Sequence, residues 1–321
     1  MNKKVLITGV TGQDGSFLVD LLVSKKNYTI YGIANPISVT YPTYLQINKV
    51  ILCDININDR NQIFNLISKI KPDEIYHLAS NVEPRIIEFS EYSGFNNNFA
   101  SGMNILDAIK ILSPNTKLYL AGSSLMFGDT ESNSQNELTP MSPNTPYGIA
   151  KYSLFQFLKM YRESYGLFCV CGILFNHESP RRSDKFLPRK ITKAAARIKK
   201  GLQNYLELGN INIQRDWSYA GDIVESMWLM LNSSQPKDYV VGSGVLNSVN
   251  DILTISFEYL DLDWTNYVKT NESLFRPNEY RSLCADTSLI NKEIGWCVTK
   301  SFKNMIEEMV DHDFKELENE N

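Results

Sequence analysis

Lys4-Val-Leu-Ile-Thr8-Gly9-Val-Thr-Gly12-Gln-Asp-Gly15 stands almost at the start of the chain, and its reading decides the fold. Four apolar or β-branched residues run into three glycines, and an amphipathic stretch, Ser16–Leu22, follows directly. A strand, a glycine turn and a helix in that order form the first half of a βαβ unit. Working outward, further strand-like runs lie at Tyr28–Ile33, Lys49–Leu52, Glu74–Leu78, Lys117–Ala121 and Phe168–Leu174. Helical patterns at Asn61–Ile70 and Gly102–Leu112 separate them. That alternation predicts an α/β Rossmann fold, a doubly wound parallel sheet.

From about Asn176 the pattern turns irregular, with Pro180, Pro188 and clustered cations. A helix-like Ala220–Leu231 and a strand-like Tyr239–Gly242 return to the first pattern, and the remainder reads as a small mixed cap. The division expected is therefore a Rossmann domain over 1–175 plus about 218–245. A smaller mixed α/β substrate-binding domain takes about 176–217 plus 246–321.

Composition narrows the function. Of 321 residues, 43% are hydrophobic and 21% charged, so the chain can bury a large core. Its 32 cations against 36 anions leave a net charge of −4, which argues against nucleic-acid binding by bulk electrostatics. The apolar run after Met1-Asn2-Lys3-Lys4 is too short for a secretory leader, and no stretch of about 18 apolar residues suggests a membrane span. Five cysteines at scattered positions fit a reducing cytoplasm. Cys169-Val170-Cys171 alternates within an apolar run, so one of the pair is expected to face the core, and no metal site is expected.

The loop Gly9, Thr11, Gly12, Gln13, Asp14, Gly15 points to a dinucleotide cofactor. Glycines there let the backbone turn tightly and present helix N-terminal N–H groups to a pyrophosphate. After the second strand stand Ala34-Asn35-Pro36-Ile37-Ser38, with no cation to neutralise a 2′-phosphate, so NAD is expected over NADP. Asp54, followed by Ile55 after the third strand, is read either as an adenine contact or as a helix or turn cap.

Tyr147-Gly-Ile-Ala-Lys151 places a phenol and an ammonium four apart, on one face of a helix opening after Pro143-Asn144-Thr145-Pro146. A phenol works as a base only with a cation beside it, which Lys151 supplies. Ser123, ending the fifth strand, would hydrogen-bond the same substrate oxygen. The candidate catalytic set is Ser123, Tyr147 and Lys151.

With these residues in hand, the chain resembles an extended short-chain dehydrogenase/reductase of the GDP-mannose 4,6-dehydratase family. The most specific part is Gly172-Ile-Leu-Phe-Asn-His-Glu-Ser-Pro-Arg-Arg182, followed by Phe186-Leu-Pro-Arg-Lys-Ile-Thr192. Leu208-Gly-Asn210, Arg215-Asp-Trp217, Arg276-Pro-Asn-Glu279 and Ile294-Gly-Trp296 continue it. The resemblance implies that Leu78, Ala79, Ser80, Asn81, Tyr92, Tyr147, Lys151, His177 and Arg182 meet the cofactor. It implies that Asn176, Lys190, Arg215, Arg276 and Glu279 hold the GDP part of a GDP-sugar, and that a homodimer or homotetramer forms through the helices carrying Gly102–Leu112 and Tyr147–Tyr165.

Three departures bear on the chemistry. The family's strand-five motif carries a glutamate where this chain has Leu125, no paired arginines follow the second strand, and Asn81-Val82-Glu83 replaces the family's Ser-His-Val stretch. Leucine cannot move a proton. The expectation drawn is oxidation at C4 of a GDP-linked sugar without dehydration, as in the branch that oxidises GDP-D-glycero-α-D-manno-heptose for capsule synthesis. The alternatives are a dehydratase with a displaced acid/base, a 4-ketoreductase or 4-epimerase, and a non-catalytic binder of NAD or GDP-sugars.

Overall fold

The computed structural model describes residues 2–34, 45–80, 91–275 and 283–319. In chain order, β1 (Lys3–Thr8), α1 (Gln13–Lys25), β2 (Tyr28–Ile33), β3 (Val50–Cys53), α2 (Arg60–Ile70) and β4 (Glu74–His77) come first. Next are α3 (Glu91–Leu112), β5 (Lys117–Ala121), α4 (Pro146–Tyr165) and β6 (Cys169–Leu174). The chain continues with β7 (Asn176–Glu178), α5 (Leu187–Lys199), β8 (Leu206–Leu208), β9 (Gln214–Tyr219), α6 (Ala220–Leu231) and β10 (Tyr239–Val241). It ends with β11 (Leu246–Ser248), α7 (Val249–Glu258), β12 (Val268–Thr270), α8 (Ser288–Ile294) and α9 (Phe302–Asn319).

Among the described residues a seven-stranded sheet runs in the order β10-β6-β5-β4-β1-β2-β3. Each neighbouring pair is parallel. The strand order reverses between β1 and β4, and the carboxyl ends of those two strands frame the crevice where such sheets take ligands. β6 shows why the sheet is legible as apolar runs: all six residues are buried. Cys169 and Cys171 both lie in one apolar layer, whereas Val170 lies in the layer on the other face. Both cysteines thus face the same core, where one of the two was expected, because residues two apart on a strand share a face. Burial pushes the Cys169 thiol up to about 12, leaving it inert.

A three-stranded sheet, β11-β9-β7, and a two-stranded one, β12-β8, form the second part. Their core joins residues of α5, α7 and α9 around Trp217, Phe257 and Ile306. α5 lies in the region that read as irregular. Its Pro188 falls in the first turn, where the missing N–H costs nothing, so the proline starts the helix rather than breaking it. α3 likewise begins at Glu91, well before the expected Gly102, through Asn96-Asn97-Asn98. Asn98 is buried there, its amide donating to the Gly94 carbonyl and its carbonyl accepting from Ser80 Oγ.

α4 has explicit start and stop signals. Thr145 Oγ1 accepts from the Gly148 N–H at 3.1 Å, Pro146 opens the first turn, and Gly166 ends the helix at φ 67°. α3 packs along α4, and this pair covers one face of the sheet. No helix of the described residues is long and apolar enough to cross a membrane.

Candidate active site

The glycine loop sits at the reversal point. Gly9 adopts φ 74°, and a Cβ there would lie 2.9 Å from the Ala79 nitrogen. A Cβ on Gly15 would lie 2.4 Å from the Gly9 carbonyl oxygen. Both positions therefore require glycine, the first for backbone conformation and contact with the β4 exit, the second for packing of the helix against the loop. Gly12 is exposed and caps α1 without a side-chain hydrogen bond, so the first N–H groups of that helix are open to an anion. This donor set fits a dinucleotide pyrophosphate.

Around the loop, Ile33 accepts from the Gly9 N–H at 2.9 Å, which places the end of β2 beside it. The Ala79 N–H donates to Thr8 Oγ1 at 3.1 Å and Ser80 Oγ donates to Asn98, holding Leu78, Ala79 and Ser80 against the loop. Thr8 Oγ1 also lies 2.8 Å from His77 Nδ1, and His77 Nε2 lies 3.4 Å from Ser101 Oγ. Burial first, and the Lys151 ammonium second, lower the His77 pKa to about 3. A neutral imidazole suits both contacts, with Thr8 donating to Nδ1 and Nε2–H donating to Ser101. Sequence reading passed over this residue, although it directly precedes the expected cofactor contact Leu78.

The three residues expected to be catalytic are carried by the turn after β5 and by α4. Lys151 is 1% exposed, and its Nζ donates to the Ala121 carbonyl at 2.9 Å. The same Nζ is 5.7 Å from the centroid of the half-buried Tyr147 ring. Ser123 Oγ accepts from the Leu125 N–H at 3.2 Å, capping a single helical turn over Ser124–Met126. α4 starts against that turn: a Cβ on Gly148 would be 2.7 Å from the Leu125 carbonyl oxygen. Gly148 thus lets Tyr147 approach the strand end that carries Ser123.

Other expected cofactor residues are placed as follows. Asp54 is exposed at the end of β3, followed by the half-buried Ile55, and Asp59 rather than Asp54 caps α2. Thr11 is half-buried within the loop. Gln13 and Asp14 are engaged by the β7 segment: Gln13 Nε2 donates to the His177 carbonyl, Ser179 Oγ donates to Gln13 Oε1, and Asp14 bonds His177 Nε2. Arg182 stacks on Phe186, 3.5 Å from the ring centroid, with Nε 3.4 Å from Glu178. Tyr92, near the start of α3, is 74% exposed. Asn35, Pro36, Ile37, Ser38 and Asn81 lie outside the described residues, so the cofactor-selecting segment does too.

For the nucleotide sugar, Asn176 is exposed at the start of β7, paired with Trp217 on β9. Arg215 lies on β9, its guanidinium donating to the Gln214 carbonyl at 2.7 Å. Lys190, in the first turn of α5, reaches the Glu207 carbonyl at 3.0 Å. These three lie on neighbouring elements of the second part; Arg276 and Glu279 lie outside the described residues. Asp216 anchors β9 from beneath, accepting from the Ser243, Gly244 and Ala285 N–H groups.

Comparison with known proteins agrees with this layout. A family model described as GDP-mannose 4,6 dehydratase matches residues 6–309. GDP-mannose 4,6 dehydratase 2 of Arabidopsis thaliana is 41% identical, over 98% of this chain and 87% of that protein. GDP-mannose 4,6-dehydratase of Vibrio cholerae is 34% identical, over 98% and 95%. Among solved structures, the UDP-glucose 4-epimerase of Thermus thermophilus in complex with NAD superposes with a TM-score of 0.83, at 23% identity over 97% and 98% of the two chains.

These relatives overturn the expectation of C4 oxidation without dehydration: proteins matching the chain along nearly its whole length are named as dehydratases. The physical reason is that Leu125 removes one carboxyl from a half-buried turn, and leaves open a supply of the proton from another position. By this match over residues 6–309, the chain belongs to the GDP-mannose 4,6-dehydratase family.

Proposed function

We propose that the protein is an NAD-dependent 4,6-dehydratase of a GDP-linked sugar of the mannose type, with its acid/base displaced from position 125. The observation that carries this reading is that the buried Lys151 reaches both the Tyr147 ring and the end of β5 just before Ser123, in the same parallel sheet whose first strand leads into the glycine loop. The family membership supplies the reaction class. The seven-stranded part holds the dinucleotide, and the part built on α5, α7 and α9 holds the nucleotide sugar.

Tyr147 takes the proton of the C4 hydroxyl, and Ser123 donates a hydrogen bond to the same oxygen. Lys151, fixed by Ala121, stabilises the negative charge that develops on the phenol oxygen. NAD, held at the loop by the N–H groups at the start of α1, would supply the acceptor for the C4 hydride and the donor of hydride to C6. Between those events a base removes the C5 proton and the C6 oxygen leaves as water, so the sugar loses one water and the reaction is redox-neutral. Leucine at position 125 cannot move a proton, so another group must transfer these protons.

Lys190, Arg215 and Asn176 bind the GDP portion, with cations for the diphosphate. A homodimer through α3 and α4 fits the apolar residues those helices expose, including Phe157, Met160 and Tyr165.

The test is turnover with sub-stoichiometric NAD. GDP-mannose consumed in many equivalents without a lasting rise at 340 nm supports the reading. NADH accumulating one-for-one with product would exclude it. GDP-manno-heptose run in parallel resolves which sugar the pocket accepts.

A further inference from the structure

His177 Nδ1 lies 2.8 Å from the Phe175 carbonyl oxygen, which can only accept. Its Nε2 lies 3.0 and 3.1 Å from the two oxygens of Asp14. Both ring nitrogens face acceptors, so the arrangement calls for the imidazolium. The side chains are 13% and 20% exposed, and burial works against both charges. Their mutual attraction and hydrogen bond outweigh it, holding His177 above and Asp14 below their ordinary ranges.

Asp14 occupies the first turn of α1, whose open N–H groups await the cofactor's diphosphate. A bare carboxylate at that place would repel it. The charged groups facing one another here are Asp14 on α1, His177 and Glu178 on β7, and Arg182 just beyond. Arg182 lies 3.4 Å from Glu178 and also attracts Asp14, and Gln13 Nε2 donates to Asp14 at 3.2 Å, but the ion pair with Asp14 is made by His177 at 3.0 Å. Both nitrogens of His177 are thereby occupied within the protein.

We propose that His177 is a positioning residue that acts on the cofactor through Asp14, cancelling the carboxylate that α1 would otherwise present to the diphosphate. The inference deepens the NAD reading above and rests on it. It differs from direct contact in one consequence: removing Asp14 compensates for removing His177. Asp14 in turn ties the dinucleotide loop to β7, the strand that begins with Asn176, so the same pair holds the two binding regions in register.

The test is NAD affinity by calorimetry for wild type, His177→Gln, Asp14→Asn and the double variant, each checked for folding by thermal melting. His177→Gln weakens NAD roughly tenfold or more, the scale of one lost charge-assisted contact. The double variant returns to within about threefold of wild type, as removal of the uncompensated charge requires. A double variant as weak as His177→Gln overturns the inference alone; a wild type that does not bind NAD overturns the cofactor reading with it. If His177→Gln fails to fold, the pH profile decides. Wild-type affinity falls as pH rises through the His177 titration and that of Asp14→Asn does not, whereas a flat wild-type profile overturns the inference.

Discussion

Lys151 Nζ donates to the Ala121 carbonyl at 2.9 Å, and this bond fastens α4 to the end of β5 two residues before Ser123. An ammonium that is 1% exposed would be costly without such a partner. In the proposed mechanism its remaining two protons serve the cofactor and the Tyr147 oxygen.

Lys151→Met keeps the stem and removes the charge. Turnover should fall by about a hundredfold to ten-thousandfold, the usual span for losing an acid/base partner. NAD affinity should fall more modestly. Steady-state kinetics with calorimetric titration of NAD measures both, and a variant retaining a tenth of wild-type kcat would remove Lys151 from the mechanism.

His77 gives the fold an acid sensitivity whose sign can be worked out. Its folded pKa of about 3 lies below the ordinary 6.5, so below that ordinary value the unfolded chain takes up a proton that the folded chain refuses. Its stabilising contribution is complete above pH 6.5 and declines toward pH 3, with a limiting slope of about 1.4 kcal/mol per pH unit. His77→Asn should flatten that limb in urea unfolding measured at successive pH values. An identical slope in the variant would mean that His77 is protonated in the folded protein.

Much of this was legible in the sequence because the signals were local and redundant. The loop Gly9–Gly15 announced itself through three glycines after an apolar strand, and α4 through Thr145, Pro146 and Gly166. What escaped depends on contacts distant in sequence. α5 was masked by Pro188, whose place in the first turn emerges only once Phe186 is known to be the cap. The start of α3 was hidden by three asparagines of poor helix propensity, one of them satisfied by Gly94 and Ser80. The Asp14–His177 pair joins residues 163 positions apart, and spacing carries no trace of it. Leu125 misled because an absent carboxyl at one position is visible in sequence, whereas a carboxyl supplied from another part of the fold would not be.

Glu83, three residues beyond Ser80 and outside the described residues, is the carboxyl that the sequence puts in place of an apolar family residue. Glu83→Gln should abolish water loss, by about a hundredfold or more, while leaving formation of a 4-keto sugar and NADH in a single turnover. Quench-flow product analysis separates the two. Unchanged dehydration in the variant would place the acid/base elsewhere.

The exposed face of α3 and α4 should be covered in solution. Phe157 is 38% exposed and packs edge-on against Phe99 at 5.6 Å, so Phe157→Asp puts a charge into the proposed dimer surface at small cost to the monomer core. Light scattering should show wild-type dimers or larger and a variant shifted to monomer. A variant of unchanged mass would move the interface to another face.

The most direct test of the central claim is the intact mass of the product that the wild-type enzyme releases from GDP-mannose. The account predicts a nucleotide sugar lighter by one water, with C6 deoxygenated and a ketone at C4, and no net NADH. A product lighter by two hydrogens, with the C6 oxygen retained and NADH formed in equal amount, would contradict it.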